Sequence, residues 1–426
     1  MYLEKTIAKN KENVYNEKNN ETKGEWMEFY KFKGKTTQEP NKTSMLPHHK
    51  KRIIQIIVIS IILITLIVVA IIYAKNEAFR KWMDITIFRK EITNEDIPVI
   101  QIDSENNPYI YAYDNYIITL QKNELKGYNQ YGRQEFALDI SVSRPIFDSQ
   151  NRFLAVAEYY GKRIYMISGK EIIWEKEVEG EISRVNVNKN GYVSIAITQT
   201  INKTVIITYS PEGKELFSTY LATTHGVDME ISEDNKYLAI AEINSSGTLI
   251  QSSIKIIGIE EVQGNADNAI VYAYSADSDE LITSIKYQNK DTLLCMYDTG
   301  IKKISGNKSE NYREFQDDTL FADVNLERHI VEVTKKSTGL FSAQGEVKII
   351  NTDTQGETVY VLENIPNSLK TYGDVIAINV GTEVHFIHTN GWLIKKYNSS
   401  QEIKDIVLSK NIAGIIYKDR IEIVSL

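Results

Sequence analysis

Few residues of this chain are of types and spacings that could do chemistry. Asp277, Asp279 and Glu280, in Ser-Ala-Asp-Ser-Asp-Glu, form its densest acidic cluster. Oxygen ligands at alternate positions suit a hard cation such as calcium, although the glycine and distal glutamate of a helix-loop-helix calcium loop are missing. A solvated loop is the plainer reading. His385 and His388 stand three apart in Val-His-Phe-Ile-His, where a strand points them to opposite faces and makes them a poor chelating pair. His225, in Ala-Thr-Thr-His-Gly, precedes a strand-like run and is a candidate for a loop-borne site, or an ordinary polar loop residue. His329 is the remaining histidine beyond the apolar run. There is one cysteine, Cys295, in the apolar run Thr-Leu-Leu-Cys-Met-Tyr, so no intramolecular disulfide can form. No phosphate-binding glycine loop, nucleophile elbow, paired-histidine zinc motif or cysteine-pair metal motif is present. The residues thus name no catalytic set, no metal and no cofactor.

The elements that would position these residues divide at one stretch. Ile53 to Ala74 reads IIQIIVISIILITLIVVAIIYA, without a charge. At helical rise it extends about 33 Å, enough for a hydrocarbon core. It is read as a transmembrane helix, and membrane lipid is the first expected partner. Residues 1–52 carry 12 Lys and Arg against 7 Glu, whereas the remainder is acidic. His48, His49, Lys50, Lys51 and Arg52 abut the helix on one side and are expected at the membrane interface. On the other side Lys75, Arg80 and Lys81 mix with Glu77 and Asp84, and Trp82 is an interfacial candidate. The positive-inside rule then places the N-terminus in the cytoplasm and the C-terminal part outside. A cleaved signal peptide would have a short leader and an apolar core of only about 7–15 residues, so an uncleaved signal-anchor is preferred.

Four regions follow: a mostly disordered basic tail (1–52), the anchor (53–74), a juxtamembrane stalk (75–96) and an external domain (97–426). In the tail Trp26, Phe29, Tyr30 and Phe32 alternate with Lys31, Lys33 and Lys35, a pattern suited to an anionic leaflet or a cytoplasmic partner. An acidic external domain disfavours nucleic acid.

Beyond Pro98 the chain repeats. RPIFDSQNRFLAVAEYYGKRIYMISGKEIIWEKEV contains four strand-like runs, and the next two segments repeat the plan, with RFLAVAE answered by KYLAIAE. Asn190-Gly191 and Pro211-Glu212-Gly213 mark turns. Units start near Tyr109, Val142, Ser183, Val227, Ile282, Leu320, Ser368 and Asp405. The last has three strands, and Pro98 to Ile102 is an extra strand with no unit of its own. Joining the two closes a ring, which makes the fold class all-β, an eight-bladed β-propeller, or a seven-bladed one if a diverged unit has been split.

The runs RIYMISGKEIIWEK and TYSPEGKELF resemble third-to-fourth-strand hairpins of quinoprotein-like (PQQ-like) propellers, and ISEDNKYLAIA is similar to the turn of WD40-like repeats. The whole arrangement resembles an uncharacterised clostridial-type family of membrane-anchored propellers. The enzymes of the quinoprotein group close their cofactor site with an adjacent-cysteine disulfide and calcium-binding carboxylates, and they carry blade-tip tryptophans. Here only Trp174 and Trp392 occupy comparable positions. The resemblance therefore implies a scaffold or binding module at the cell envelope, with a protein or glycan partner, rather than a redox enzyme. A hydrolase or lyase with a carboxylate-lined central funnel, and a single-pass sensor, are the alternatives.

Overall fold

A computed structural model describes residues 47–75, 83, 97–103, 108–277, 280–339 and 342–426, in two units divided after Lys75. The first unit holds one helix, Pro47–Lys75. Proline at the first helical turn forfeits no hydrogen bond and presets φ, so the helix begins ahead of the apolar run. His48 to Arg52 accordingly occupy its opening turns instead of a segment before it. From Ile56 to Lys75 the mean hydropathy is 3.3 and none of the stretch is buried. A helix that is apolar on every side suits an apolar solvent. Within it the Thr65 hydroxyl donates to the Ile61 carbonyl at 2.9 Å, satisfying itself internally. The expected basic tail up to residue 46 and nearly all of the expected stalk, Trp82 included, lie outside the described residues.

The second unit is an eight-bladed propeller of four-stranded antiparallel sheets. Blade 1 comprises Tyr109–Tyr113, Tyr116–Gln121, Glu124–Tyr128 and Gln134–Asp139. Blade 2 runs from Pro145–Gln150 to Glu171–Glu177, blade 3 from Glu181–Val187 to Glu215–Leu221, and blade 4 from His225–Ile231 to Ile270–Ser275. Blade 5 runs from Ile282–Tyr287 to Lys308–Glu314, blade 6 from Thr319–Asp323 to Glu357–Val361, and blade 7 from Ser368–Tyr372 to Leu393–Asn398. In blade 8 the strands Asp405–Leu408, Ile412–Ile416 and Arg420–Ser425 are completed by Val99–Gln101, with Ile100 opposite Ile421. Eight sheets rule out the seven-bladed alternative.

First strands pack on first strands of adjacent blades and so line the axis. Second strands lie between neighbouring blades with both faces covered. Leu154, Ala155, Val156 and Ala157 are all fully buried, which is why such strands read as unbroken apolar runs instead of alternating ones. The outer strand Glu171–Glu177 does alternate. Apolar clusters fill the spaces between blades, as where Ile164, Met166, Ile182, Ile195 and Val205 join blades 2 and 3. Blade 4 departs from the plain repeat: two short 3-10 turns, Ile259–Glu261 and Ala266–Ala269, intervene before its fourth strand.

Candidate functional site

The inner strands bring together a polar layer that spans most of the ring. Asp148, Asn186, Glu230, Lys286 and Asp323 come from the first strands of blades 2 to 6, and each pairs with a residue near the start of its blade's second strand: Ala155, Ser194, Ala239, Leu294 and Val331. They therefore share one level around the axis. Tyr111, opposite Ile118, continues the level into blade 1. Such side chains point inward because strand residues alternate and the other face of each strand is committed to the core.

Their bonds cross blade boundaries. The Lys286 ammonium donates to Glu230 Oε1 at 2.5 Å, and Asn186 Nδ2 donates to Glu230 Oε2 at 2.7 Å, so blade 4 is held from both sides. Asp148 accepts from the Val187 amide of blade 3 at 2.6 Å, and Asp228 accepts from the Ile285 amide of blade 5 at 2.9 Å. Arg184 reaches Asp228 at 3.2 Å, and Thr371 of blade 7 donates to Asp323 at 2.9 Å.

Four carboxylates thus surround one partly buried ammonium and one exposed guanidinium. Burial pushes the Glu230 carboxyl up to about 7, against the pull of Lys286. Burial likewise raises Asp148, Asp228 and Asp323 above the usual carboxylate range, partly offset by the hydrogen bonds they accept. Burial disfavours the Lys286 charge, but Glu230, Asp148 and Asp228 outweigh it and hold the ammonium above its ordinary value. Tyr111 is also raised, chiefly by burial and then by Asp148. Chemically, this layer can hold a proton near neutrality and can bridge blades.

The residues singled out from sequence lie elsewhere. Asp277 and Glu280 flank Lys302, whose ammonium is 3.3 and 2.5 Å from them, so a cation already occupies that corner; Asp279 is outside the described residues. No group of three or more metal-ligating side chains occurs among the described residues. His225 opens the first strand of blade 4 and is exposed. His385 is buried, with Nδ1 2.8 Å from the Tyr360 hydroxyl, and burial lowers its pKa. His388 stacks on Trp392 instead, with ring centroids 4.9 Å apart. Cys295 is buried in the core and its thiol is raised far above the ordinary value by burial. Trp174 docks blade 2 on blade 3, its indole donating to the Pro211 carbonyl at 2.9 Å.

The axial layer was missed from sequence because its members are about 40 residues apart and each looks like an ordinary polar strand residue. Aligning the repeats would have found it. Asp148, Asn186 and Glu230 hold the same place in FDSQNRFLA, VNVNKNGYVSI and MEISEDNKYLA.

Residues 90–426 match the model of a family of unknown function, DUF5711. The chain belongs to that family. No curated protein sequence matches it. Among solved structures, BamB from Moraxella catarrhalis is similar at 12% identity over 79% of this chain and 99% of that one, with a TM-score of 0.45. Sqt1 from Chaetomium thermophilum is similar at 10% identity over 78% and 98%, TM-score 0.48. The Neurospora crassa Pan2 WD40 domain is similar at 9% identity over 78% and 97%, TM-score 0.42.

Proposed function

We propose that this DUF5711 member is a membrane-anchored protein whose propeller stands outside the cytoplasm and serves as a binding or scaffolding platform at the cell envelope. In this reading residues 1–52 form a cytoplasmic tail, 53–74 the anchor, 75–96 a stalk and 97–426 the platform. The observation that carries it is the axial layer: its charged side chains are engaged with the next blade, through Lys286 to Glu230, Asp148 to the Val187 amide and Asp228 to the Ile285 amide. Groups so engaged stiffen a ring, and a rigid ring presents its rim loops to a protein or glycan. The apolar helix and the basic residues that open it support the anchor and its orientation.

Crosslinking in intact cells followed by mass spectrometry tests the platform. Specific partners are expected, and recovery of none would overturn it. Protease added to intact cells should degrade the propeller and spare the tail; the reverse pattern would invert the topology.

One observation favours a second reading. Four carboxylates converge on the axis, and Glu230, at about 7 beside Lys286, is poised for proton transfer. A hydrolase or lyase would use such a pair. Glu230→Gln preserves shape and removes the proton-holding group, so a cellular phenotype lost in that variant while the ring still folds would favour the enzyme.

A further inference from the structure

Two carboxylates of the ring each hold a lysine and an asparagine at once. On the surface of blades 1 and 2, Glu135 accepts from Lys170 at 2.9 Å and from Asn129 at 2.6 Å. At the axis Glu230 accepts from Lys286 at 2.5 Å through Oε1 and from Asn186 at 2.7 Å through Oε2. Burial separates the two sets. The Lys170 and Glu135 side chains are 44% and 35% exposed, whereas those of Lys286 and Glu230 are 16% and 6% exposed. In the exposed set the Lys170 bond holds the Glu135 carboxyl below its ordinary value, so the pair stays ionised. At the axis burial is the largest influence on both partners and favours the uncharged form of each, amine and acid. Asp148 and Asp228 pull the other way by favouring the ammonium. A proton need cross only one hydrogen bond, from Nζ to Oε1, to make the pair neutral and the lysine a nucleophile.

We propose that the Lys286 side chain condenses with the Asn186 side chain to form an isopeptide bond, with Glu230 as the proton shuttle. Amine and amide sit on the two oxygens of one carboxylate, so the nucleophile and the carbonyl carbon are neighbours and Glu230 touches both reacting groups. The step balances without a co-reactant. Lys286 Nζ attacks Asn186 Cγ, the Cγ–Nδ2 bond breaks, and Nδ2 leaves as ammonia. Of the three ammonium protons, one remains on the new amide, one goes to the leaving nitrogen through the Oε2 contact it already makes, and one stays on Glu230. Asn186 Oδ1 is buried without a hydrogen-bond partner, so no competing bond holds the amide in its starting orientation. The product joins blade 3 to blade 5 across blade 4. It closes the chain from 186 to 286 into a covalent loop, a constraint on the unfolded state that an ion pair does not supply. This chemistry is independent of whether the ring serves as a platform or an enzyme.

Mass spectrometry of the purified full chain tests it. The wild-type chain should be lighter than its sequence by one ammonia. Digestion should release Asn186 and Lys286 in one branched peptide, with Asn129 and Lys170 on separate linear ones. Glu230→Gln and Lys286→Arg should each restore the full mass and the linear peptides. Full mass in the folded wild-type chain, with 186 and 286 on separate peptides, overturns the proposal whatever the variants do. So does a loss of ammonia without the branched peptide, as cyclisation at Asn190-Gly191 would give. A branched peptide that persists in Glu230→Gln overturns the role of Glu230 as shuttle.

Discussion

Where blade 8 meets blade 1, Ile100, Ile412, Ile421 and Ile423 pack on Ala112 and Ile117. The polar bonds there, Ser409 to the Asp114 carbonyl and Asn411 to Asn115, lie at the turns. Between blades 3, 4 and 5 the inner strands are joined instead by Lys286, Glu230 and Asn186, with Asp148 and Asp228 close enough to raise Glu230. One seam is closed by apolar burial and a borrowed strand. The other adds buried charges whose desolvation offsets much of what their attraction contributes. The apolar seam should depend on volume, and the charged seam on keeping every partner.

The sharpest break of that comparison is Lys286→Met, which strands Glu230 and its neighbours without their cation. It should cost about 3–5 kcal/mol at neutral pH, with part of the loss recovered on acidification, read by denaturant unfolding. At the apolar seam Ile421→Ala should cost about 2–5 kcal/mol with no pH dependence of its own, because it leaves a cavity beside Ile100.

The pH profile separates the seams further. The Glu230 pKa is raised from 4.5 to about 7, so the folded chain binds more protons than the unfolded one between those values. Stability should therefore fall as pH rises from about 4.5 to 7, and Asp148, Asp228 and Asp323, raised by burial, act in the same direction. Glu230→Gln should flatten that slope by on the order of 1–3 kcal/mol. A slope unchanged in the variant would show that Glu230 is not the titrating group. An effect of similar size falls away from both seams. Gly213, at φ +77°, would carry a Cβ 2.8 Å from Trp174 Cγ, so Gly213→Ala should cost about 1–3 kcal/mol, measured as a lowered Tm.

The same contrast explains what the sequence made legible. Backbone pairing and apolar burial leave local traces: the alternation of Glu171–Glu177, the unbroken run of Phe153–Glu158, and the turns at Asn190-Gly191 and Pro211–Gly213. Those traces yielded the strands, the eight units and the strand shared between the ends. The charged layer leaves no local trace, since Glu230 and Lys286 stand 56 residues apart and meet only when their strands are brought to one level, so that only an alignment of the repeats would show it. The acidic cluster that drew notice, Asp277 with Glu280, is conspicuous because it is contiguous, yet its two described carboxylates flank Lys302. The helix extends ahead of the apolar run for a local reason, because basic residues tolerate a helical turn as readily as a coil and Pro47 initiates it.

The central claim is that the propeller is a binding platform in which the axial charges join blades and the rim, not Glu230, meets the partner. It is tested most directly by crosslinking in intact cells with the wild-type chain and with Glu230→Gln side by side. The platform account predicts the same specific partners from both. Recovery of no specific partner by the wild-type chain, or a partner set lost in Glu230→Gln while the ring still folds, would contradict it.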